Sequence, residues 1–368
     1  MKGYTNVLDL IVIDENGKLL VPEGVTWIDK FEFMGNYEIT ALDIPDGIVG
    51  IGMEAFLFCR NLTSVTIPDS VSNIEESAFS CCDSLSSIIV SGNNANYKSI
   101  NNCCLSKTGD ELIFGCKNSK IPDSVTKIKA YAFFGCTGLT SITIPDNVTN
   151  IEEYAFGGCD SLSSIIVSEG NPNYKSIDNC CLSKDGDVLI FGCKNSKIPD
   201  SVTKIKAGAF HGCTGLTAIT IPDSVTEIGD GAFMNCSSIK SINIPNRVTR
   251  IGDDAFRGCT GLTAITIPDS VTEIGIAPFR VCPGIISIEI PACLVKHITK
   301  LLDSPDDIAS VTVRITEKLP DNAKDVLRIV DHLDPSNVTL KVPVDCEEAY
   351  RHHPDFEGKF KEIQAVLD

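Results

Sequence analysis

The sequence predicts a right-handed repeat solenoid built from short β-strands and tight turns, and three observations carry that expectation. A proline preceded by Ile or Val recurs at Pro22, Pro45, Pro68, Pro122, Pro145, Pro199, Pro222, Pro245, Pro268 and Pro291. Seven of the nine steps between them are 23 residues and the other two are both 54, so even the interruptions are regular. A phenylalanine recurs with the same period, and a cysteine follows it by three residues at Cys59, Cys82, Cys136, Cys159, Cys213, Cys236, Cys259 and Cys282. Self-similarity at a fixed period of about 20–50 residues marks units that stack because none can bury its apolar side alone.

Each part of the unit has a physical reading, taken here from Leu216 to Cys236, LTAITIPDSVTEIGDGAFMNC. Leu216, Ile219 and Ile221 are spaced to point inward from a short strand and its entry turn. Pro222 ends ladder pairing, and Asp223-Ser224 supplies turn chemistry. Val225 and Ile228 make a second buried segment. Ala232 and Phe233 sit on a tight turn with the ring as core filler, and Cys236 closes the coil. In the first coil Phe33 holds the phenylalanine place and Asn36 the cysteine place.

The two 54-residue steps carry inserts that copy one another. Ser91 to Lys120 and Ser168 to Lys197 differ at only six of thirty positions at an offset of 77 residues, which points to duplication of the block 68–144 as 145–221. Thr108-Gly109-Asp110 and Asp185-Gly186-Asp187 read as hairpin turns, so each insert is expected to be an extra strand-rich coil. After Pro291 the pattern loosens. Helices are expected over Leu294–Leu302 and Ala323–Leu333, strands over Ser310–Ile315 and Asn337–Val342, and an amphipathic helical tail at the end. The expected organisation is an N-terminal cap and first repeat over 1–43, the solenoid over 44–291 with its inserts at 91–120 and 168–197, and a helix-containing cap over 292–368.

The units of form L-T-S-I-T-I-P-D-S-V-T-x-I-x-x-x-A-F-x-x-C, the N-P-N-Y-K-S-I-D insert motif and the V-P-x-x-C-x-E-A-Y unit at 342–350 together resemble the BspA-like, or Treponema-type, leucine-rich-repeat family. The resemblance covers about residues 20 to 365 and implies a leucine-rich-repeat solenoid, in which Asn and Cys interchange at the bend. It implies a surface or secreted protein that adheres to host or bacterial proteins, and it carries over no catalytic residues.

Composition and charge narrow the partner. A formal charge of −18 disfavours nucleic acid and anionic membranes, which need clustered Lys and Arg. No run of 18 apolar residues marks a membrane span. Met1 to Asp14 lacks a basic n-region followed by a cleavage site, so we expect either an intracellular protein or one whose leader has been removed. Seventeen cysteines, an odd number, favour a reducing location or deep burial over a fully paired framework. A monomer is expected.

Candidate chemistry is sparse. The five histidines, His211, His297, His332, His352 and His353, fall in no nucleophile motif, and His352-His353 reads as a solvated helix end rather than a metal site. Cys103-Cys104 and Cys180-Cys181, with Cys116 and Cys193, are the most reactive-looking set. Adjacent strand residues point to opposite faces, so one thiol of each pair is expected in the core and the other on the surface; zinc, redox or disulfide roles are the alternatives. A row of Pro-Asp carboxylates, from Asp46, Asp69, Asp123, Asp146, Asp200 and Asp223 to Asp269, fits turn hydrogen bonds at least as well as calcium. No catalytic residue, metal or cofactor is expected.

That leaves the outward strand positions as the expected docking surface for a protein ligand. They are Ser64 and Thr66, Ser141 and Thr143, Ala218 and Thr220, Ser241 and Asn243, Ala264 and Thr266, and Ser287 and Glu289, a small polar face. Ile89 and Ile166 break the rule, each just before an insert. Coverage by the insert is the favoured expectation, and an exposed Ile would instead mark a binding patch. Lys240, Arg247 and Arg250 make one basic coil on an acidic chain, read either as a solvated edge or as an acidic-ligand contact. The expected function is non-catalytic, adhesin-like or host-interacting protein recognition; an intracellular scaffold, and further behind a cysteine- or metal-dependent enzyme, are the alternatives.

Overall fold

The computed structural model describes residues 12–13, 19–20, 22, 24–291, 294, 310–314, 337–352 and 360–366. The fold is a β-solenoid of about 13 turns with little helix. It divides into two compact units, one of residues 1–186, 190–196 and 209–213, the other of 187–189, 197–208 and 214–368.

In the first unit the coils outside the inserts contribute to three rows. Ala41–Asp43, Ser64–Ile67 and Ser87–Val90 pair in parallel with Leu42, Val65 and Ile88 in register. Ser141–Ile144 and Ser164–Val167 pair in the same way. The second row is made of two-residue strands, Trp27–Ile28, Gly50–Ile51 and Asn73–Ile74, again 23 residues apart. The third row is made of turns: the Phe33 N–H reaches Ala55 O at 2.8 Å, and the Phe56 N–H reaches Ala78 O at 2.9 Å. Rings Phe33, Phe56 and Phe79 stack at 5.2 and 5.3 Å, close enough for each pair to add about 0.5–1.5 kcal/mol beyond its area burial.

The punctuating residues have separate tasks. Carbonyls of Pro45 and Pro145 accept from the N–H groups of Ile48 and Val148 three residues on, so each proline both ends a strand and opens a β-turn. The cysteine thiol bonds back across one coil. Sγ of Cys59, Cys82 and Cys159 donates to the carbonyls of Phe33, Phe56 and Phe133 at 3.2–3.3 Å. In the first coil Asn36 Oδ1 instead accepts from the N–H groups of Glu38 and Ile39, at 2.8 and 3.2 Å. Either side chain satisfies backbone at the bend, which is why they interchange.

The inserts are three-stranded antiparallel units. Tyr97–Ile100 pairs with Cys103–Ser106, which pairs with Glu111–Phe114, and the turn between the last two falls where the Thr108-Gly109-Asp110 motif places it. Tyr174–Ile177 and Cys180–Ser183 repeat the first pairing. Asn94 anchors the unit although fully buried: Nδ2 donates to Pro68 O and Val71 O at 2.7 and 2.9 Å, while Oδ1 accepts from the N–H groups of Asn96 and Tyr97, both at 2.8 Å. Asn171 does the same in the copy.

The adjacent cysteines correct the expectation of one buried and one exposed thiol. Cys103, Cys104, Cys180 and Cys181 are all fully buried. They do point to opposite faces, but both faces are covered. Cys104 packs in a core cluster with Phe56, Phe79 and Phe114, and Cys103 in the next one with Leu105, Phe133 and Phe156.

In the second unit, short strands run from Lys204–Ile205 through Glu227–Ile228 and Arg250–Ile251 to Glu273–Ile274. The longer row comprises Ala264–Thr266, Ser287–Pro291, Ser310–Arg314, Val338–Pro343 and Glu362–Val366, all parallel. Rings Phe233, Phe256 and Phe279 stack at 5.4 Å. Residues 216–221 and 239–244 form no strand, although Leu216, Ile221, Ile239 and Ile244 still point into the core. The strands expected near 310–315 and 337–342 are present. The expected helices at 294–302 and 323–333 lie outside the described residues, apart from the buried Leu294. The chain end differs from expectation. After the five-residue helix Glu347–Arg351, the described residues Glu362–Val366 form a strand where the sequence predicts a helical tail. That strand occupies the edge of Val338–Pro343 and takes up its open backbone groups. Among the described residues of 1–43, Val12–Ile13 and Leu19–Leu20 form an antiparallel pair.

One substitution tests the fit of the insert. A Cβ on Gly115 would lie 2.2 Å from the ring of Phe133, itself fully buried, whereas a Cβ on Gly138 would meet only the flexible Lys117 side chain at 2.9 Å. Gly115→Ala is expected to destabilise the chain by about 1–3 kcal/mol and Gly138→Ala by much less, read from urea-unfolding midpoints. Equal midpoints would mean the insert is not wedged against that ring.

Candidate partner-binding surface

The alternation of the strand rows decides which side chains face outward. Inward Val65, Ile142 and Ile265 are buried. Outward Ser141, Thr143, Ala218, Thr220, Ser241, Asn243, Ala264 and Thr266 are exposed, and Ser64, Thr66 and Ser287 are half-buried. Hydroxyls one position before the strands hold the edge: Thr63 Oγ1 donates to Thr40 O at 2.7 Å, and Ser86 Oγ to Thr63 O at 3.1 Å.

Ile89 and Ile166 stand in the outward place and are 51% and 50% exposed, so the inserts do not cover them. The insert folds into the second row, where Glu111–Phe114 pairs with Lys127–Ile128, and touches the first row only at its edge. There Ser99 Oγ accepts from the Val90 N–H at 3.0 Å, bringing Ile100 to the strand that carries Ile89. Ser176 Oγ accepts from the Val167 N–H in the copy, next to Ile177. Ile100 and Ile177 are also exposed, at 38% and 39%. Each insert therefore leaves two apolar side chains open beside a polar strand row.

The basic coil comes apart in the structure. Lys240 and Arg247 are exposed at the two ends of the 241–244 segment, with Arg247 lining a shallow hollow with Asp223 and Asn243. Arg250 lies in the other row, paired with Glu227 at 3.1 Å, Asp230 at 3.0 Å and Glu273 at 3.9 Å. It belongs to a charge ladder and is not on the strand face. Glu289 is likewise committed, to Arg314 at 2.8 Å and Lys341 at 2.9 Å. Burial works against its charge, but those hydrogen bonds outweigh burial and hold its carboxyl below the usual range. Its partners lie 25 and 52 residues away, beyond any local motif.

The thiols and the metal candidates are placed by burial. Burial pushes Cys59, Cys81 and Cys103 up to about 12, and Cys104 and Cys181 up further. The Pro-Asp carboxylates are exposed, and Asp269 pairs with Arg314 at 3.1 Å. Among the described residues, no three His, Cys, Asp or Glu side chains come together in a way that would hold a metal ion. His352 pairs with Glu348 at 3.1 Å, while His297, His332 and His353 lie outside the described residues. No helix among the described residues is long and apolar enough to cross a membrane.

His211 is a feature the sequence reading passed over. It is buried against Phe134 at 5.0 Å and Tyr154 at 5.6 Å, and among the described residues its Nδ1 has no hydrogen-bond partner. The signal was there in the duplication, since the residue 77 positions earlier is Phe134.

Stacked coils of this kind define the leucine-rich-repeat class. The chain belongs to the BspA-type branch of it: the family model described as BspA type leucine-rich repeat region matches residues 26–114, 113–188 and 190–302. Among solved structures, the pneumococcal vaccine antigen PcpA is similar in fold, with a TM-score of 0.57 at 20% identity over 95% of this chain and 78% of that one. A leucine-rich cell surface protein from Faecalibacterium prausnitzii is 28% identical, with a TM-score of 0.50 over 77% of this chain and 87% of that one. No curated protein matches in sequence.

The buried imidazole makes stability depend on pH. Burial lowers the His211 pKa to about 4, whereas the unfolded side chain titrates near about 6.5. Between those values the unfolded chain binds a proton that the folded chain does not, so stability falls as pH drops, by at most about 1.4 kcal/mol per unit. His211→Phe, the residue of the earlier copy, is expected to flatten this dependence. Urea midpoints at pH 7 and pH 5 check it, and an unchanged slope would move the proton uptake elsewhere.

Proposed function

We propose that this chain is a non-catalytic protein-recognition module, adhesin-like and host-interacting, that docks its ligand over the strand rows. The observation that carries the proposal is the exposure of Ile89 and Ile166 on an otherwise small, polar face. Apolar side chains in such a setting release water on contact, while the flanking Ser and Thr hydroxyls supply hydrogen bonds. In the first unit Ile89 stands beside Thr66 and Ile166 beside Thr143, and the second unit offers Thr220, Lys240, Asn243, Arg247 and Thr266 on its own outward side. Ser64, Thr66 and Ser141 complete the surface. Glu289 and Arg250 are left out because their charges are already matched.

Two further observations support binding over catalysis. Burial raises the thiols away from nucleophile range. The F. prausnitzii relative, similar in sequence and fold, is described as a cell surface protein, which fits adhesion.

Fluorescently labelled protein is expected to bind host cells or extracellular matrix. Thr143→Glu, Thr220→Glu and Ile89→Glu alter exposed side chains and are expected to shift stability by no more than about 0.5 kcal/mol. Each variant at the interface is expected to weaken binding by roughly tenfold or more. Full binding by all three, with unchanged melting, would put the interface off the strand rows.

A further inference from the structure

The inserts remove something as well as adding strands. In an uninterrupted coil the turn after the second row projects one residue outward, two positions before the stacked phenylalanine, with a left-handed backbone. Phe31, Glu54, Ser77 and Tyr131 hold this place, with φ between 56° and 62°. The insert has no such turn. Gly115 takes the phenylalanine's place in the hydrogen-bond ladder, donating to Ala132 O at 2.8 Å, and Phe114 fills the core by stacking on Phe79 at 4.7 Å. The core is thereby continuous while the outside is not. The turns carrying Ser77 and Tyr131 meet at Cys81, whose N–H donates to Phe134 O at 3.0 Å, and beside that contact a cleft opens within the first unit.

The cleft has two adjoining parts, of about 500 and 340 Å³, which share Glu76, Ser77, Tyr131 and Phe134 as lining. Tyr131 is held rigidly, parallel to Tyr154 at 5.5 Å and edge-on to Phe134 at 5.4 Å. The carboxylates of Glu54 and Glu76 flank it. Among the described residues neither takes part in an ion pair, whereas Glu111 and Glu152 at neighbouring coils share Lys127. Burial first, and then the charges of Glu76, Glu153 and Glu54, raise the Tyr131 pKa. Lys129 is the cation of the lining, and its charge acts on Glu152. At the rim the chain already uses the same chemistry internally: the Arg60 guanidinium lies 5.6 Å from the centre of the Phe58 ring and pairs with Asp83 at 3.6 Å.

We infer that this cleft is a second binding site, separate from the strand rows, that receives an arginine side chain of a partner protein over the face of Tyr131 and between Glu54 and Glu76. A planar guanidinium fits both requirements, stacking on an aromatic face while donating to carboxylates at its edge. The two parts of the cleft leave room for the backbone on either side of that arginine. An acidic molecule also draws such a partner in at long range.

The test is a titration of the full-length 15N-labelled protein with the peptide acetyl-Gly-Arg-Gly-amide, followed by amide chemical shifts. Saturable shifts are expected at Ser77, Tyr131 and Phe134, with a citrulline analogue binding roughly tenfold more weakly because it lacks the charge. Glu76→Gln and Tyr131→Ala are expected to weaken binding by roughly three- to tenfold, and Thr143→Glu to leave it unchanged. Tyr131→Phe keeps the ring and the fold, and is expected to retain binding. No saturable shift at millimolar peptide, shifts confined elsewhere, or equal binding of the citrulline peptide would overturn the inference. None of those outcomes bears on the strand-row interface, which Thr143→Glu reports separately.

Discussion

The structure depends on one constraint: each coil must satisfy the backbone groups of the next, in the uninterrupted repeats at an offset of 23 residues. The Thr63 N–H reaches Thr40 O and the Ser86 N–H reaches Thr63 O, and the same step recurs from Thr149 to Thr126. In the second unit it recurs from Thr226 to Thr203, Thr249 to Thr226 and Thr272 to Thr249. An unpaired buried backbone group costs about as much as a lost hydrogen bond, so a coil departs from that length only where its rows still find partners, as the Thr126 N–H does at Asp110 O, 16 residues back. The period is therefore a hydrogen-bonding requirement first. The phenylalanine stack and the thiol that reaches back one coil follow from it, because identical positions are brought into line.

The inserts show how such a ladder tolerates interruption. Their extra residues are absorbed in a three-stranded unit packed on both faces, anchored by Asn94 or Asn171 with four hydrogen bonds to backbone. The second row stops at Asn73–Ile74, where the Ile74 N–H donates to the Tyr97 hydroxyl at 3.0 Å, and resumes beyond the insert's first two strands, with Glu111 and Leu112 paired to Lys127 and Ile128. The strand row and the outward turns are interrupted as well. One interruption leaves Ile89 and Ile100 open, and the other leaves the cleft beside Tyr131. Both departures from the polar repeat surface thus have one cause.

Much of this was legible in the sequence, for a reason that also defines what was not. Side chains whose surroundings repeat with the period, such as Pro145, Phe156 and Cys159, can be placed from spacing alone, because their neighbours are copies of themselves. The hairpin turn at Gly109 was legible from local chemistry, as glycine there has φ of 87°. Cys103 and Cys104 were not, because alternation tells which way a strand residue points but not what covers that side. Ile89 was misjudged for the same reason, as its cover depended on which row the insert joins. Alternation puts Glu289 on the strand face and charge groups Arg250 with Lys240 and Arg247, and only their ion pairs with other coils show them to be committed. The cleft had no sequence signal of its own, since it is made by a turn that is missing.

The duplication sharpens where function resides. Residues of the ladder are the same in both copies, as with Cys104 and Cys181 or Phe114 and Phe191. Differences fall on side chains that the ladder does not constrain: Ser77 is matched by Tyr154, Tyr131 by Gly208, and Phe134 by His211. A copy that kept the core and changed the outward turn therefore has no ring at the position of Tyr131. Stacking on that ring is the contact that favours a planar guanidinium over an ammonium. The two inserts thus share a scaffold and an exposed pair of isoleucines but differ in the chemistry of their turns. The proposed apolar strand-row contact is offered by both copies, while the proposed recognition of a guanidinium belongs to the first.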